Sequence, residues 1–256
     1  MSEAATNRRK ARLVCVLVAG GVLVLALALG TFICALRYVP GFYSQSQLAD
    51  IDGQREGNDA MLETATALAN TSRREGNWYA QITEQQINGW LAVDLVQNHQ
   101  DLLPPAVGEP RVHIEPGRAI VACTYQYCGL STVVTATFEM YLAEPRVVAL
   151  RIHATRAGLL PVPMTPIVDG VAKAAERLNL RVEWRQMHGD PVALITLPAA
   201  QTETTVYRLD AFELRNQEIY LAGRTGPLQV PDSPSSEPAR PQSDVAARPD
   251  ENLKIQ

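Results

Sequence analysis

The sequence predicts an α+β protein: an N-terminal transmembrane helix, an antiparallel sheet packed with one or two helices, and a disordered C-terminal tail. Three observations predict it. Leu13 to Leu36 contains no charged residue and is rich in Leu, Val and Ala. From Arg111 onward apolar residues recur at every second position, with a single helical interruption. From Pro227 the chain is rich in Pro and Ser and almost free of large apolar groups until Leu253.

The 256 residues exceed one typical domain, but both ends are non-globular in composition, leaving a middle of single-domain size with one core. The parts expected are a cytoplasmic tail at 1–12, a transmembrane helix at 13–36, a stalk at 37–57, an extracytoplasmic α+β domain at 58–226 and a disordered Pro-rich tail at 227–256. The formal charge of −4 is modest, and no basic stripe is interleaved with aromatics, so nucleic acid is not an expected partner.

As a helix, Leu13 to Leu36 would reach roughly 36 Å, enough for the hydrocarbon core of a bilayer. Arg8, Arg9, Lys10 and Arg12 precede it against Glu3 alone, whereas only Arg37 follows closely. The positive-inside rule therefore puts the N-terminus in the cytoplasm and the main domain outside the cell (inner) membrane. A cleaved signal peptide is the competing reading, but the apolar run is far longer than a usual signal core. Tyr38, Phe42 and Tyr43 fit an aromatic belt at the membrane interface. Of the four cysteines, Cys15 and Cys34 fall in the span. Cys123 and Cys128 would point to opposite faces of one strand, so two buried thiols are favoured, and a disulfide needs the chain to turn between them.

Ser44 to Gly57 is polar and holds two glycines, as a stalk does, with a fraying helix within it as the alternative. Asn58 or Asp59 then caps a helical pattern whose apolar side is Met61, Leu62, Ala65, Leu68 and Ala69, ended by the breaker Ser72 to Gly76. In "QITEQQINGWLAVDL", Gln81 to Leu95, Thr83 and Gln86 have the spacing of a capping box and Ile82 and Ile87 that of a hydrophobic staple. Ile87, Leu91 and Leu95 repeat at four-residue spacing with Trp90 beside them, making an apolar stripe. At its edge Gly89 would let another backbone approach closely and Asn88 would satisfy a buried carbonyl; a ligand-contacting Asn88 is the alternative.

Strands follow. "RVHIEPGRAIVACTYQY" reads as a hairpin about Glu115 to Arg118. "STVVTATFEMYLAE" sets Val134, Ala136, Phe138, Met140 and Leu142 against Thr135, Thr137, Glu139 and Tyr141, and "VVALRIHATRAG" alternates in the same way, so a wet-faced meander is expected. "LPVPMTPIVDGVAKAAERLNL" breaks the pattern with a helix capped by Thr165, with Pro166 at its first position. Strands resume at "RVEWRQMHGDPVALITLP", turning at His188 to Pro191, and at "TVYRLDAFELRNQEIYLAG", turning at Arg215 to Gln217.

This order of parts, with "ITEQQINGWL" and "LPVPMTPIVDGVAKAAERLN", resembles the single-pass bacterial envelope proteins whose outer domain is similar to half of a tubular lipid-binding (TULIP-like) module. The similarity covers Trp78 to Gly223. It implies a curved sheet with the long helix lying across it and lipid chains between them. Trp90, Leu91, Phe138, Met140, Val168, Val171 and Leu178 would line that groove.

No catalytic set stands out. There is no nucleophile elbow, zinc-protease helix, phosphate loop or paired C-x-x-C motif. His99, His113, His153 and His188 are scattered, so neither a metal nor a cofactor is expected. "MHGDP", Met187 to Pro191, joins an imidazole to a carboxylate, but Asp after Gly is also ordinary hairpin chemistry. Trp78, Trp90 and Trp184 read as core, with Trp184 the one on a strand that could face water. The expected function is therefore a non-enzymatic, membrane-anchored envelope protein that binds a lipid or other apolar ligand, or an envelope protein partner. The alternatives are a structural or assembly component of an envelope complex, drawing on Ala26 and Gly30 in the span and on the tail, and an envelope hydrolase using His188 and Asp190.

Overall fold

The computed structural model describes residues 21, 23–47, 50–104, 106–127, 129–197, 200–202 and 205–227. Cys128, most of the first half of the expected span and residues 228–256 of the expected tail lie outside the described residues. The fold is α+β with two antiparallel sheets.

Helix α1 (Leu23–Leu36) is apolar and exposed up to Cys34, with Ala35 and Leu36 half-buried at its end. Among the described residues no single helix is long and apolar enough to cross a membrane; α1 and α2 (Gly41–Gln47) meet that test only as a pair bent by 52°. The α2 helix is instead part of the domain. Its Tyr43 is buried against Ala122 and Val133 and its hydroxyl donates to the Glu109 carbonyl at 2.9 Å, while Phe42 stacks on His113. Of the three aromatics expected at a membrane interface, Tyr38 alone stays exposed, because Phe42 and Tyr43 find apolar partners on the sheet.

Helix α3 (Ile51–Thr71) begins seven residues before the expected cap, so 37–57 is no free stalk; it carries α2 and the first turns of α3. Asn58 lies inside α3 and is buried. The inward stripe also differs from the expected one: Gly57, Met61, Thr64 and Leu68 turn in, and Leu62, Ala65 and Ala69 face out. Small and polar groups make this contact, with Gln86 Nε2 donating to Thr64 Oγ1 at 3.1 Å, so apolar periodicity alone misplaces the face.

Strand β1 (Gly76–Thr83) fills the interval between the Ser72 to Gly76 breaker and the Thr83 cap, where the sequence predicts no strand, and leads straight into α4 (Glu84–Ala92). Thr83 and Gln86 form the capping box. Val93 interrupts the helical run, which resumes as α5 (Asp94–Asn98) and one 3-10 turn (Gln100–Leu102).

The strands are β2 (Val107–Glu115), β3 (Arg118–Tyr127), β4 (Leu130–Glu144), β5 (Val147–Ala157) and the short β6 (Leu160–Pro161); then, after helix α6 (Thr165–Arg177), β7 (Arg181–Met187), β8 (Asp190–Thr196), β9 (Ala200–Thr202), β10 (Thr205–Arg215) and β11 (Glu218–Pro227). The large sheet runs β2-β3-β4-β5-β8-β7, with β6 on β5; the small one runs β1-β11-β10-β9. Met164, not Thr165, is the α6 N-cap.

The sheets meet face to face. Trp78, Leu209, Phe212 and Leu221 of the small sheet pack on Leu142 and Val148 of the large one. Nearer α4, Ile114, Ala119, Leu214, Met140 and Ile87 continue the core. The Trp78 indole, inside this layer, donates to Thr225 Oγ1 at 3.1 Å, so the polar edge of the ring is satisfied. The two hairpin ends lock together, Gly117 N to Leu214 O at 2.9 Å and Gln217 N to Ile114 O at 3.0 Å, and Glu84 N donates to Gln217 O at 2.8 Å. These bonds fix the start of α4 against both sheets.

Candidate functional site

Three places concentrate shape or chemistry. The first is a hollow of about 330 Å³ between α6 and the edge strand β7, lined by Ala172, Ala175, Leu180, Val182 and Trp184, with Glu176 and Asn179 at its rim. The sequence makes it in two steps. Ile167, Val168, Val171, Ala172 and Ala175 fall on one side of α6, and Val182 and Trp184 alternate with charged Arg181, Glu183 and Arg185 along β7. Alanines on the helix leave room that larger residues would fill. Trp184, which could have faced water, is half-buried under this helix.

The second is a polar cavity of about 540 Å³ between α3, the start of α4, Arg111 of β2 and the Asn216 to Glu218 turn. Most of its polar groups already have tasks. Asn88 donates from Nδ2 to Val112 O and accepts from Val112 N at Oδ1, both at 2.8 Å. Glu84 accepts from Ile114 N at 2.8 Å and lies 3.1 Å from His113 Nδ1. Arg111 is buried and donates to the Pro110 carbonyl at 2.8 Å. Burial pulls its guanidinium below the ordinary arginine range, with Tyr43 and Glu109 opposing the shift. Of these groups sequence inspection singles out Asn88, and His113 only as one of four scattered histidines; Glu84, an acid at the first position of a capped helix, carries the signal for the rest.

The third is an ion network on the large sheet. Arg151 reaches Asp190 Oδ2 at 2.8 Å and Glu139 Oε2 at 3.5 Å, and His153 lies 2.9 Å from Glu139 Oε2 and 3.1 Å from Asp190 Oδ2. Arg151 and His153, two residues apart on β5, share one side of the strand, beside Glu139 of β4. The imidazole that meets Asp190 is thus His153. His188 sits exposed in the turn with a φ of 54°, so the pair suggested for a hydrolase does not assemble, and Asp190 serves a cross-strand network rather than its own turn. Among the described residues no group of three or more His, Cys, Asp or Glu is arranged to hold a metal ion.

The seven expected groove residues fall in three places. Trp90 and Leu91 are half-buried on α4, which packs on α3, β1, β2 and α5, with Trp90 6.0 Å from the His99 ring. Met140 packs with Ile87 and Phe212 between the sheets, and Phe138 is half-buried on β4 opposite Ala119 and Ile152. Val168 and Val171 are half-buried on the inner side of α6, and Leu178 is 66% exposed at its end. Compared with protein-family models, curated proteins and solved structures, the chain matches none.

Proposed function

We propose that this chain is a single-pass envelope protein whose N-terminus is cytoplasmic and whose α+β domain, outside the membrane, binds a lipid or other apolar ligand without transforming it. The observation that carries the reading is the hollow under α6, where Val182 and Trp184 of an edge strand face Ala172 and Ala175 of the helix. Its volume is at the small end of ligand sites, as suits part of one acyl chain. The exposed apolar length of α1 supports the anchor. Support for a binding protein over an enzyme comes from the Glu139, Arg151, His153 and Asp190 network, whose acids and bases are spent on one another.

The test is native mass spectrometry of the full chain in mild detergent. Lipid should remain bound to the wild type and be lost in Ala172→Trp, which fills the hollow from the helix side. Absence of co-purifying lipid together with no uptake of a hydrophobic dye sinks the proposal.

A further inference from the structure

We infer that the outer domain touches the bilayer itself, through the end of the large sheet where α1 is tied down, with Leu130 and Leu159 seated among the lipids. The inference rests on the reading of α1 as the end of a membrane span and goes beyond it, because a span alone leaves the domain free to stand off.

Two hydrogen bonds hold the sheet to the last turn of α1. Leu159 N donates to Ala35 O at 2.9 Å, and Thr132 Oγ1 donates to Leu36 O at 2.6 Å. Whatever depth Ala35 has in the bilayer, the Leu159 backbone shares it to within a hydrogen-bond length. Gly158 makes this approach attainable: its φ is +59°, and a Cβ there would run into the Ala35 and Leu36 carbonyls.

The side chains at this end suit a lipid surface. Leu159 is 52% exposed and Leu130 is 63% exposed, the latter two residues from Thr132 and so on the same face of β4. Tyr38, just past α1, and Tyr125, paired across from Thr132, are exposed as interface aromatics are. Charge agrees. Residues 21–49, 119–138 and 147–168 contain no Asp or Glu, while Arg37 and Arg156 are present to meet headgroup phosphates. Glu109 at this end of the sheet accepts a 2.6 Å hydrogen bond from Gln47.

The experiment places a tryptophan at each tip of the full chain, as Leu159→Trp and Leu130→Trp, in phosphatidylcholine vesicles with or without brominated acyl chains. The control is Ala143→Trp, exposed on β4 and roughly 36 Å along the strand from Thr132. Bromine should quench the added emission of both tip variants about twofold or more, as for side chains sunk at the acyl boundary, and spare the control. Emission from either tip variant that is quenched no more than the control overturns the inference while the anchor stands. A chain stripped from the vesicles by alkaline carbonate overturns both.

Discussion

Asn88 of α4 and Val112 of β2 are joined by two hydrogen bonds, the side-chain amide closing both the carbonyl and the N–H of the valine at 2.8 Å each. One side chain thereby ends the pairing of a sheet-edge backbone that would otherwise face a helix with nothing to bond. Asn88→Ala leaves both Val112 groups unpaired and should cost about 1 to 3 kcal/mol. Asn88→Asp keeps the acceptor but turns a carboxylate oxygen toward the Val112 carbonyl, so it should cost at least as much as Asn88→Ala. Urea unfolding of the two variants checks the order; a wild-type midpoint for Asn88→Ala refutes the structural role.

Gly89 and Gly57 form the crossing of α4 over α3. A Cβ on Gly89 would lie 2.5 Å from Asn58 N and 2.6 Å from Gly57 C, both backbone atoms that cannot swing aside. Gly to Ala inside a helix ordinarily gains up to about 1 kcal/mol, whereas overpacking costs about 1 to 3. The clash should win, and thermal unfolding of Gly89→Ala should show a lower Tm.

Leu95 is the buried member of the α4 and α5 stripe, at 5% exposure, and Leu91 is only half-buried. Leu95→Ala should therefore cost about 2 to 5 kcal/mol by opening a cavity. Leu91→Ala should cost less, about 1 to 2 kcal/mol. Equal losses in denaturant titrations would show that Leu91 carries more of the core than its exposure allows.

Burial pushes the Cys123 thiol from 9.0 up to about 11. Folding thus holds it protonated where the unfolded chain releases the proton, so its contribution is intact below about pH 9 and is lost as pH rises toward 11. Stability should fall over that window, by roughly 1 to 2 kcal/mol. At about pH 8 iodoacetamide should leave Cys123 of the folded chain unmodified and label it readily in urea, read residue by residue in a peptide map.

The long strands β2 to β5, the hairpins β7–β8 and β10–β11, and α6 were legible because period two and period 3.6 are strong signals over such runs, whereas the short β6 and β9 carry no such period; the Thr83 start was legible because its cap chemistry is local. Asn88 and Gly89 were legible as packing groups for the same reason: an amide and a glycine at the edge of an apolar stripe suit little else. The early strand β1 was not, since "GNWYAQIT" runs straight into a helix cap with no turn after it and its partner lies at the far end of the domain. The true face of α3 was hidden because Gly57 and Thr64 make its contacts without apolar bulk. The network around Asp190 depends on β4, β5 and β8 being neighbours, and that is not written in any one segment.

The pairing of β1 with β11 sets the order in which the protein can assemble. Trp78 and its partner Thr225 are 147 positions apart, so closing this contact carries the loop entropy of nearly the whole domain. The meander β2 to β5 is joined by short turns and can form early, whereas the small sheet must wait until the last strand has been delivered. Until then the face of Val148 and Leu142 is bare. A newly made chain therefore passes through a stage with this face uncovered, and a ribosome stalled before β10 is made would hold it there, sticky and unprotected.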